Sequence, residues 1–350
     1  MQNADVIEIG FLCYPQVQHA TILGLSDLFR LAERESVTSG DCEHRPRLSL
    51  TQWHWSDQQQ SLVSFESEHM SFEEKHMAFE EKRLSSAADA PTPALIPDLM
   101  ILPPTLGDPM PSEQAQRYAP GLRQLHGAGC RLAAICGGAF ILAESGLLNR
   151  RTVTVHYQHA ECFQALFPEV RLDLNPLLID SGDILTTGGV MSWVDLGLHL
   201  VAHYWHIDTM LAVARVLMVD PPGRQQRYYQ VFSPRRQHGD VAIEKVQTLL
   251  DEQAIEPGGG SISLAVLAQH AGLEVRTLLR RFQKATGMTT TEYMQRLRVG
   301  RAQEQLQRTR LPVDRIAWDM GYRDVKAFRK VFTQIVGLTP NDYRRRFLVS

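Results

Sequence analysis

Two pairs of cationic side chains are spaced to grip a polyanion. Arg276 and Arg280 lie four residues apart, and Lys326 and Lys330 repeat that spacing 50 residues on. Four residues is about one helical turn, so each pair shares a face. Such faces suit attraction to phosphates and hydrogen bonding to base edges in a major groove. Thr277 and Arg329 are the next candidates beside them. Cys136 carries a different chemistry, because it follows the apolar run Arg131–Ile135 and precedes Gly137-Gly138. A strand, a sharp glycine turn and a helix N-terminus make a nucleophile elbow, where the helix dipole is expected to lower the thiol pKa. The plainer alternative is a small buried cysteine at a strand end.

The elements that must position the cationic pairs are written twice. Leu267-Ala268, Gly272-Leu273, Leu278 and Phe282 are echoed by Ile316-Ala317, Gly321-Tyr322, Phe328 and Phe332, offset by 49 residues and then by 50. Downstream, Gly287 to Tyr293 matches Gly337 to Tyr343. An apolar pair, a glycine turn and a second helix with apolar residues four apart is the pattern of a helix-turn-helix. Phe282 and Phe332 fall on the stripe opposite the cations, which predicts core on one side and a free basic face on the other. A basic helix face is often merely solvated, but here it recurs in register.

Charge divides the chain in the same way. Residues 255–350 hold 17 Lys and Arg against 8 Asp and Glu, leaving 19 against 31 of the totals of 36 and 39 to the first 254 residues. The net charge of −3 therefore hides a basic segment joined to an acidic one. A basic domain of this size is a nucleic-acid footprint, and an acidic body is repelled by DNA rather than wrapped by it.

Residues 262–347 resemble the AraC/XylS family of bacterial transcription regulators. The resemblance rests on Ile316-Ala-Trp-Asp-Met-Gly-Tyr322, Phe328-Arg-Lys-Val-Phe332, Gly337-Leu-Thr-Pro340 and Tyr343-Arg-Arg-Arg-Phe347. It implies two helix-turn-helix units joined by a long helix, expected over Thr290 to Gln307, with each recognition helix entering successive major-groove segments. One departure is Glu274, where the family has a small polar cap. Glutamate caps a helix poorly, so the first recognition helix is expected to start at a shifted position.

The first 220 residues alternate short apolar runs with amphipathic segments. Strands are expected at Val6–Leu12, Leu48–Trp55, Leu99–Leu102, Arg131–Ile135 and Ile184–Thr187. Helices are expected at Gln18–Leu31, Ser112–His126, Cys136–Glu144 and Trp193–Trp205. This predicts an α/β fold, a flavodoxin-like parallel sheet with helices on both faces, followed by an all-α domain. The expected organisation is a sensing domain over 1–220, a linker over 221–260 and a DNA-binding domain over 261–350. Three heptads over Ser64–Leu84 put Phe and Met on different helical stripes, so they form no coiled-coil seam and are taken as a surface insertion. No run of 18 apolar residues and no signal peptide is visible, which predicts a cytoplasmic protein without a membrane span. Five scattered cysteines, none in a CxxC pair, argue against a disulfide framework or a structural zinc site. His199, His203 and His206 share one expected helix but lack a Glu or Cys ligand, so they are expected to be packing or interface residues, with Trp193 and Trp205 in the core or at a dimer surface.

A second resemblance covers residues 5–218, which look like the ThiJ/PfpI branch of the class I glutamine amidotransferase-like fold. It is carried by Ile9-Gly-Phe-Leu-Cys-Tyr-Pro15, Asp98-Leu-Met-Ile-Leu102, Ala134-Ile-Cys-Gly-Gly-Ala-Phe140, Ala143-Glu-Ser-Gly-Leu-Leu148, Thr154-Val-His156 and Thr187-Gly-Gly189. Joined to an AraC-type domain, the arrangement is similar to GlxA-type regulators. Enzymes of that branch pair the elbow cysteine with an acid, but the matching position here holds Thr21. Pro103-Pro104 replace the turn that would donate N–H groups to an oxyanion. The expectation is a degenerate sensor with no catalytic residues, no cofactor and no metal. Cys136, Gly137, His156 and Tyr157 would line a small-molecule site with Thr21 opposite; the resemblance implies a nitrogenous effector. The expected partners are operator DNA, that effector, RNA polymerase and a second copy of the chain. A thiol-dependent hydrolase or amidase with a DNA-binding tail stays open as the second reading, with His156 as its base.

Overall fold

Continuous apolar runs become the buried strands of the first unit. The computed structural model describes residues 6–38, 46–66, 96–234, 236, 238–255 and 262–349, in two units, Met1–Gln226 and Arg227–Ser350. The first unit opens with β1 (Val6–Leu12), α1 (His19–Thr38), β2 (Arg47–Ser56), β3 (Ser61–Glu66) and β4 (Leu99–Leu102). It continues with α2 (Ser112–Ala115), α3 (Ala119–Gly127), β5 (Arg131–Ile135), α4 (Gly138–Glu144), β6 (Thr152–Val153), α5 (Ala160–Leu166), β7 (Arg171–Leu172), β8 (Leu178–Asp180) and β9 (Ile184–Thr187). Two helices, α6 (Trp193–Tyr204) and α7 (Ile207–Leu217), close it.

Seven strands form one sheet in the order β3-β2-β1-β4-β5-β9-β8. The five central strands are parallel, in register Ile9↔Leu99, Met100↔Leu132 and Ala134↔Thr186. Every residue of β4 and β9 is buried. Both sheet faces are therefore covered, as parallel strands require. Helices α1, α6 and α7 pack together, and α2 and α3 pack on α4. Both edges are antiparallel: β3 pairs with β2 and β8 with β9. The first residues of the heptad segment, Ser64–Glu66, thus lie in an edge strand, and the remainder of that segment falls outside the described residues.

Several expectations are corrected. The helix expected over Ser112–His126 is broken into α2, a 3-10 turn at Gln116–Tyr118 and α3, because Pro120 in the first turn of α3 lacks the N–H that a continuous helix needs. The three histidines do not share one helix. His206 is the extended N-cap of α7, where its ring accepts from Asp208 N at 3.3 Å. His199 instead meets Asp180 at 2.8 Å. Trp205 stacks on Phe29 at 6.4 Å, and Trp193 packs against the same core.

The second unit is all helix: α8 (Val241–Ile255), α9 (Leu264–Ala271), α10 (Val275–Thr286), α11 (Thr290–Arg308), α12 (Val313–Asp319), α13 (Val325–Val336) and α14 (Pro340–Phe347). It has two small cores. Ile243, Val246, Leu250, Leu267, Leu278, Phe282 and Tyr293 build the first; Ile316, Met320, Phe328, Phe332 and Tyr343 build the second, with Val299, Ala302 and Leu306. Since α11 supplies Tyr293 to one and Val299, Ala302 and Leu306 to the other, it ties the halves together. The segment expected as a linker, 221–260, accordingly contains a packed helix. Ile243, Val246 and Leu250 recur at three and four residues on α8 and fill the apolar face of the first helix pair. No helix among the described residues is long and apolar enough to cross a membrane.

Candidate nucleic-acid interface and sensor site

The cations stand on the helices that the repeat requires. In α10, Leu278 and Phe282 are buried while Arg276 and Arg280 are exposed and Thr277 is half-buried. In α13, Phe328 and Phe332 are buried while Lys326, Arg329 and Lys330 are exposed. Glycine turns precede both: Gly272 at φ 65° and Gly321 at φ 78° adopt the left-handed conformation that a side chain resists. Asp324 caps α13 by accepting from Lys326 N at 2.9 Å and Ala327 N at 3.3 Å. Glu274 makes no side-chain cap, yet α10 begins at Val275, in register with Val325. The shifted start expected from Glu274 does not occur, because burial of Leu278 and Phe282 sets the register.

The cations differ in their commitments. Arg276, Arg280, Lys326 and Lys330 form no ion pair among the described residues. Arg329 meets Asp314 at 3.0 Å. Arg281, beside Arg280, is spent internally: it grips Asp240 through two bonds of 2.9 and 2.6 Å.

The elbow is present in the first unit. Cys136 sits between β5 and Gly137 with φ 50°, a strained value for a residue with a side chain, and its N–H donates to Thr187 O at 2.8 Å. It is only 4% exposed. Burial pushes its thiol up, outweighing the Gly189 and Gly137 N–H groups that favour the thiolate. The expected lowering by the helix dipole is thus reversed; α4 has only seven residues, and desolvation wins. A side chain at Gly138 would lie 2.4 Å from Leu102 O, so backbone carbonyl crowds the start of that helix.

The other expected sensor residues make no hydrogen bond to this elbow among the described residues. Thr21 is fully buried and donates to Gln18 Oε1, while Gln18 N donates to Pro104 O at 2.8 Å. His156 is half-buried and stacks on Tyr157 at 4.9 Å; burial first, then His159, pushes its pKa down. No hydrogen bond joins Cys136 to His156, Tyr157 or Thr21 among the described residues. Two residues near the site went unread in the sequence. Tyr14 is buried; that burial first, and then the nearby Cys136, opposes ionisation of its hydroxyl, which donates to Pro103 O. Gln226 is buried, accepts from Tyr157 N at 2.7 Å and donates to Thr154 Oγ1 at 3.2 Å and Val155 O at 3.0 Å. Gly188 makes room for it, since a side chain there would meet Gln226 Nε2 at 2.5 Å. A cavity of about 710 Å3 lies elsewhere, between α1 and α6, where Leu28, Arg30, Trp193 and Leu217 line it and none of the expected sensor residues does. Among the described residues no group of three His, Cys, Asp or Glu is placed to hold a metal ion.

Comparison with known proteins decides the C-terminal unit. A family model described as a helix-turn-helix domain matches residues 267–346. This unit carries an AraC-type helix-turn-helix domain. The chain is 27% identical over 230 residues to the HTH-type transcriptional regulator GlxA of Rhizobium meliloti (strain 1021), covering 64% of this chain and 68% of that one. It is 26% identical over 218 residues to the HTH-type transcriptional regulator GbdR of Pseudomonas aeruginosa (strain UCBPP-PA14), covering 62% and 58%, less than two thirds of GbdR. A solved AraC family transcriptional regulator from Pseudomonas putida aligns over 60% of this chain and 99% of that one, with 16% identity and a TM-score of 0.40. In the AraC-type domain the matched segment runs from Leu267 on α9 to Arg346 on α14, so both basic helix faces fall inside it.

Proposed function

We propose that this chain is a sequence-specific transcription regulator whose AraC-type domain binds operator DNA and whose first unit senses a small molecule. The observation that carries the DNA reading is the pair of helices α10 and α13. They start in register, bury equivalent leucine and phenylalanine positions, and leave Arg276, Arg280, Lys326 and Lys330 without an ion pair among the described residues. Their tether has a suitable length. The 19 residues of α11 span about 28 Å at 1.5 Å per residue, comparable to the roughly 34 Å of one duplex turn. Two recognition helices attached along it suit successive major-groove segments on one face of DNA. The regulator names of GlxA and GbdR support the same reading.

In this proposal Arg276, Thr277, Arg280, Lys326 and Lys330 contact DNA directly, with Arg329 contributing less because Asp314 holds it. The sensor site comprises Cys136, Gly137, His156, Tyr157 and Thr21, extended by Tyr14. Effector binding there changes operator affinity, and a second copy of the chain and RNA polymerase complete the assembly. Catalysis is not part of the reading: burial pushes the Cys136 thiol up, Thr21 stands where the resemblance implies an acid, and Pro103 and Pro104 have no N–H to offer an oxyanion. The test is operator binding by the double variant Arg280→Ala, Lys330→Ala. Binding is abolished while thermal unfolding stays unchanged; unaltered affinity would remove these residues from the interface. Cys136→Ser separates the sensor from a thiol hydrolase, since a sensor keeps its regulatory response.

A further inference from the structure

The two recognition helices are not chemically equivalent. Leu278 and Phe282 are fully buried, but Leu279 between them is 39% exposed. It lies three residues from Arg276 and next to Arg280, on the side of α10 that carries these exposed cations. The equivalent position of α13 is Arg329, and that arginine is tied to Asp314 at 3.0 Å. One helix therefore offers a branched alkyl group within its basic face where the other offers a tethered guanidinium.

In a major groove the apolar feature at the base edges is the C5 methyl of thymine; the remaining edge atoms are hydrogen-bond donors and acceptors. Resting on the DNA-binding reading above, we infer that Leu279 selects a thymine by packing on its C5 methyl, and that only the half-site read by α10 carries this requirement. Arg276 and Arg280 anchor the helix to that half-site through phosphates or guanine edges, so Leu279 is held at base depth. The half-site read by α13 meets a guanidinium at the equivalent position.

The experiment uses the full chain to select duplexes from a random-sequence library, then replaces each thymine of the selected duplex by deoxyuridine. That change removes the methyl and leaves every hydrogen-bonding edge intact. Binding weakens by roughly fourfold at one thymine of one half-site, the weight of a single buried methyl-sized group. Leu279→Ala binds the thymine and deoxyuridine duplexes equally, whereas Arg329→Ala preserves the difference. Leu279→Gln, which keeps helix propensity, moves the preference at that position toward adenine. Circular dichroism confirms that each variant is folded. Equal affinity of the wild type for all thymine and deoxyuridine duplexes overturns the inference, as does full discrimination by Leu279→Ala; both leave DNA binding itself standing. Failure to enrich any duplex overturns the DNA-binding reading, and the role of Leu279 falls with it.

Discussion

The Phe282 ring meets the Tyr293 ring edge-on, with centroids 5.3 Å apart and planes at 85°. Fifty residues on, Phe332 and Tyr343 meet at 5.7 Å and 79°. The tyrosine hydroxyls also match: Tyr293 accepts from Gln247 Nε2 at 3.2 Å and Tyr343 from Gln307 Nε2 at 2.6 Å. Each pair joins a recognition helix to the helix after it, so it fixes the angle at which the basic face is presented. Truncating either ring to alanine should cost about 3–5 kcal/mol, the range for a buried phenylalanine. Denaturant unfolding of Phe282→Ala and Phe332→Ala checks this, and losses below about 1 kcal/mol would mean that the pairs do not hold the helices.

Salt dependence distinguishes free cations from paired ones. Each phosphate contact contributes about 0.9 to the slope of log affinity against log salt concentration. Arg280→Ala and Lys330→Ala should each reduce that slope by close to this amount. Arg329→Ala should change it less, because Asp314 already neutralises part of its charge. Equal slope changes for all three would show that the Asp314 pair opens in the complex.

Gln226 is expected to behave as a structural residue although it is an uncharged side chain at the start of a short 3-10 turn. Gln226→Ala leaves Tyr157 N, Thr154 Oγ1 and Val155 O without their partner, which should cost about 1–3 kcal/mol. Amide exchange at Tyr157 should accelerate in this variant while exchange in β5 stays slow. Unchanged exchange at Tyr157 would show that water replaces the glutamine without loss.

Acid should loosen the first unit through Asp183. Arg151 grips its carboxylate with bonds of 2.6 and 2.7 Å, and His126 adds one of 2.8 Å. The hydrogen bonds from Arg151 hold Asp183 well below the usual carboxylate range. A depressed folded pKa means that the unfolded chain binds more protons. The stabilisation is therefore complete above the unfolded value of about 3.9 and is lost as pH falls below it. Asp183 is partly exposed, so solvent screening keeps the effect small. Asp183→Asn should flatten the fall in urea midpoint between pH 5 and pH 3; an identical fall would assign the acid sensitivity elsewhere.

Thiol reactivity should follow burial. Cys13, Cys130 and Cys136 are buried and Cys162 is exposed. Burial pushes Cys13 and Cys130 up to about 12 and raises Cys136 as well. At neutral pH iodoacetamide should modify Cys162 first among the described cysteines, with Cys136 protected until the fold opens, as peptide mapping would reveal. Rapid labelling of Cys136 would restore a reactive thiol to the elbow.

Much of this architecture was legible because it rests on local pattern. Strands β4 and β5 fall at the expected residues because Leu99–Leu102 and Leu132–Ile135 are unbroken apolar runs, and β9 because Ile184-Leu185 is followed by two β-branched threonines. The repeat was readable because Leu278 and Phe328 mark the same core position twice. What escaped depended on partners distant in sequence. Nothing local in Val241–Ile255 says that its apolar face fills the core beside Phe282, so a packed helix read as a linker. His206 looked like one more residue of α6 because its extended N-cap conformation becomes visible only with α7 in place. At Cys136 the geometry of the elbow was readable from Cys-Gly-Gly, but the thiol's protonation was not. That depends on how completely the fold buries the turn, which leaves Cys136 only 4% exposed.

The separation of Leu279 from Leu278 has a bearing on how such a protein changes over time. Adjacent positions on one helix answer to different constraints: Leu278 to the interior, Leu279 to whatever the helix touches. On the proposed DNA contacts, substitutions at 276, 279 and 280 alter what is recognised while the hydrophobic interior stays as it is, and the same holds for 326, 329 and 330. Because each helix has its own interior cluster, one half of the target can drift while the other is retained. New binding preferences are thus reachable in single steps through folded intermediates.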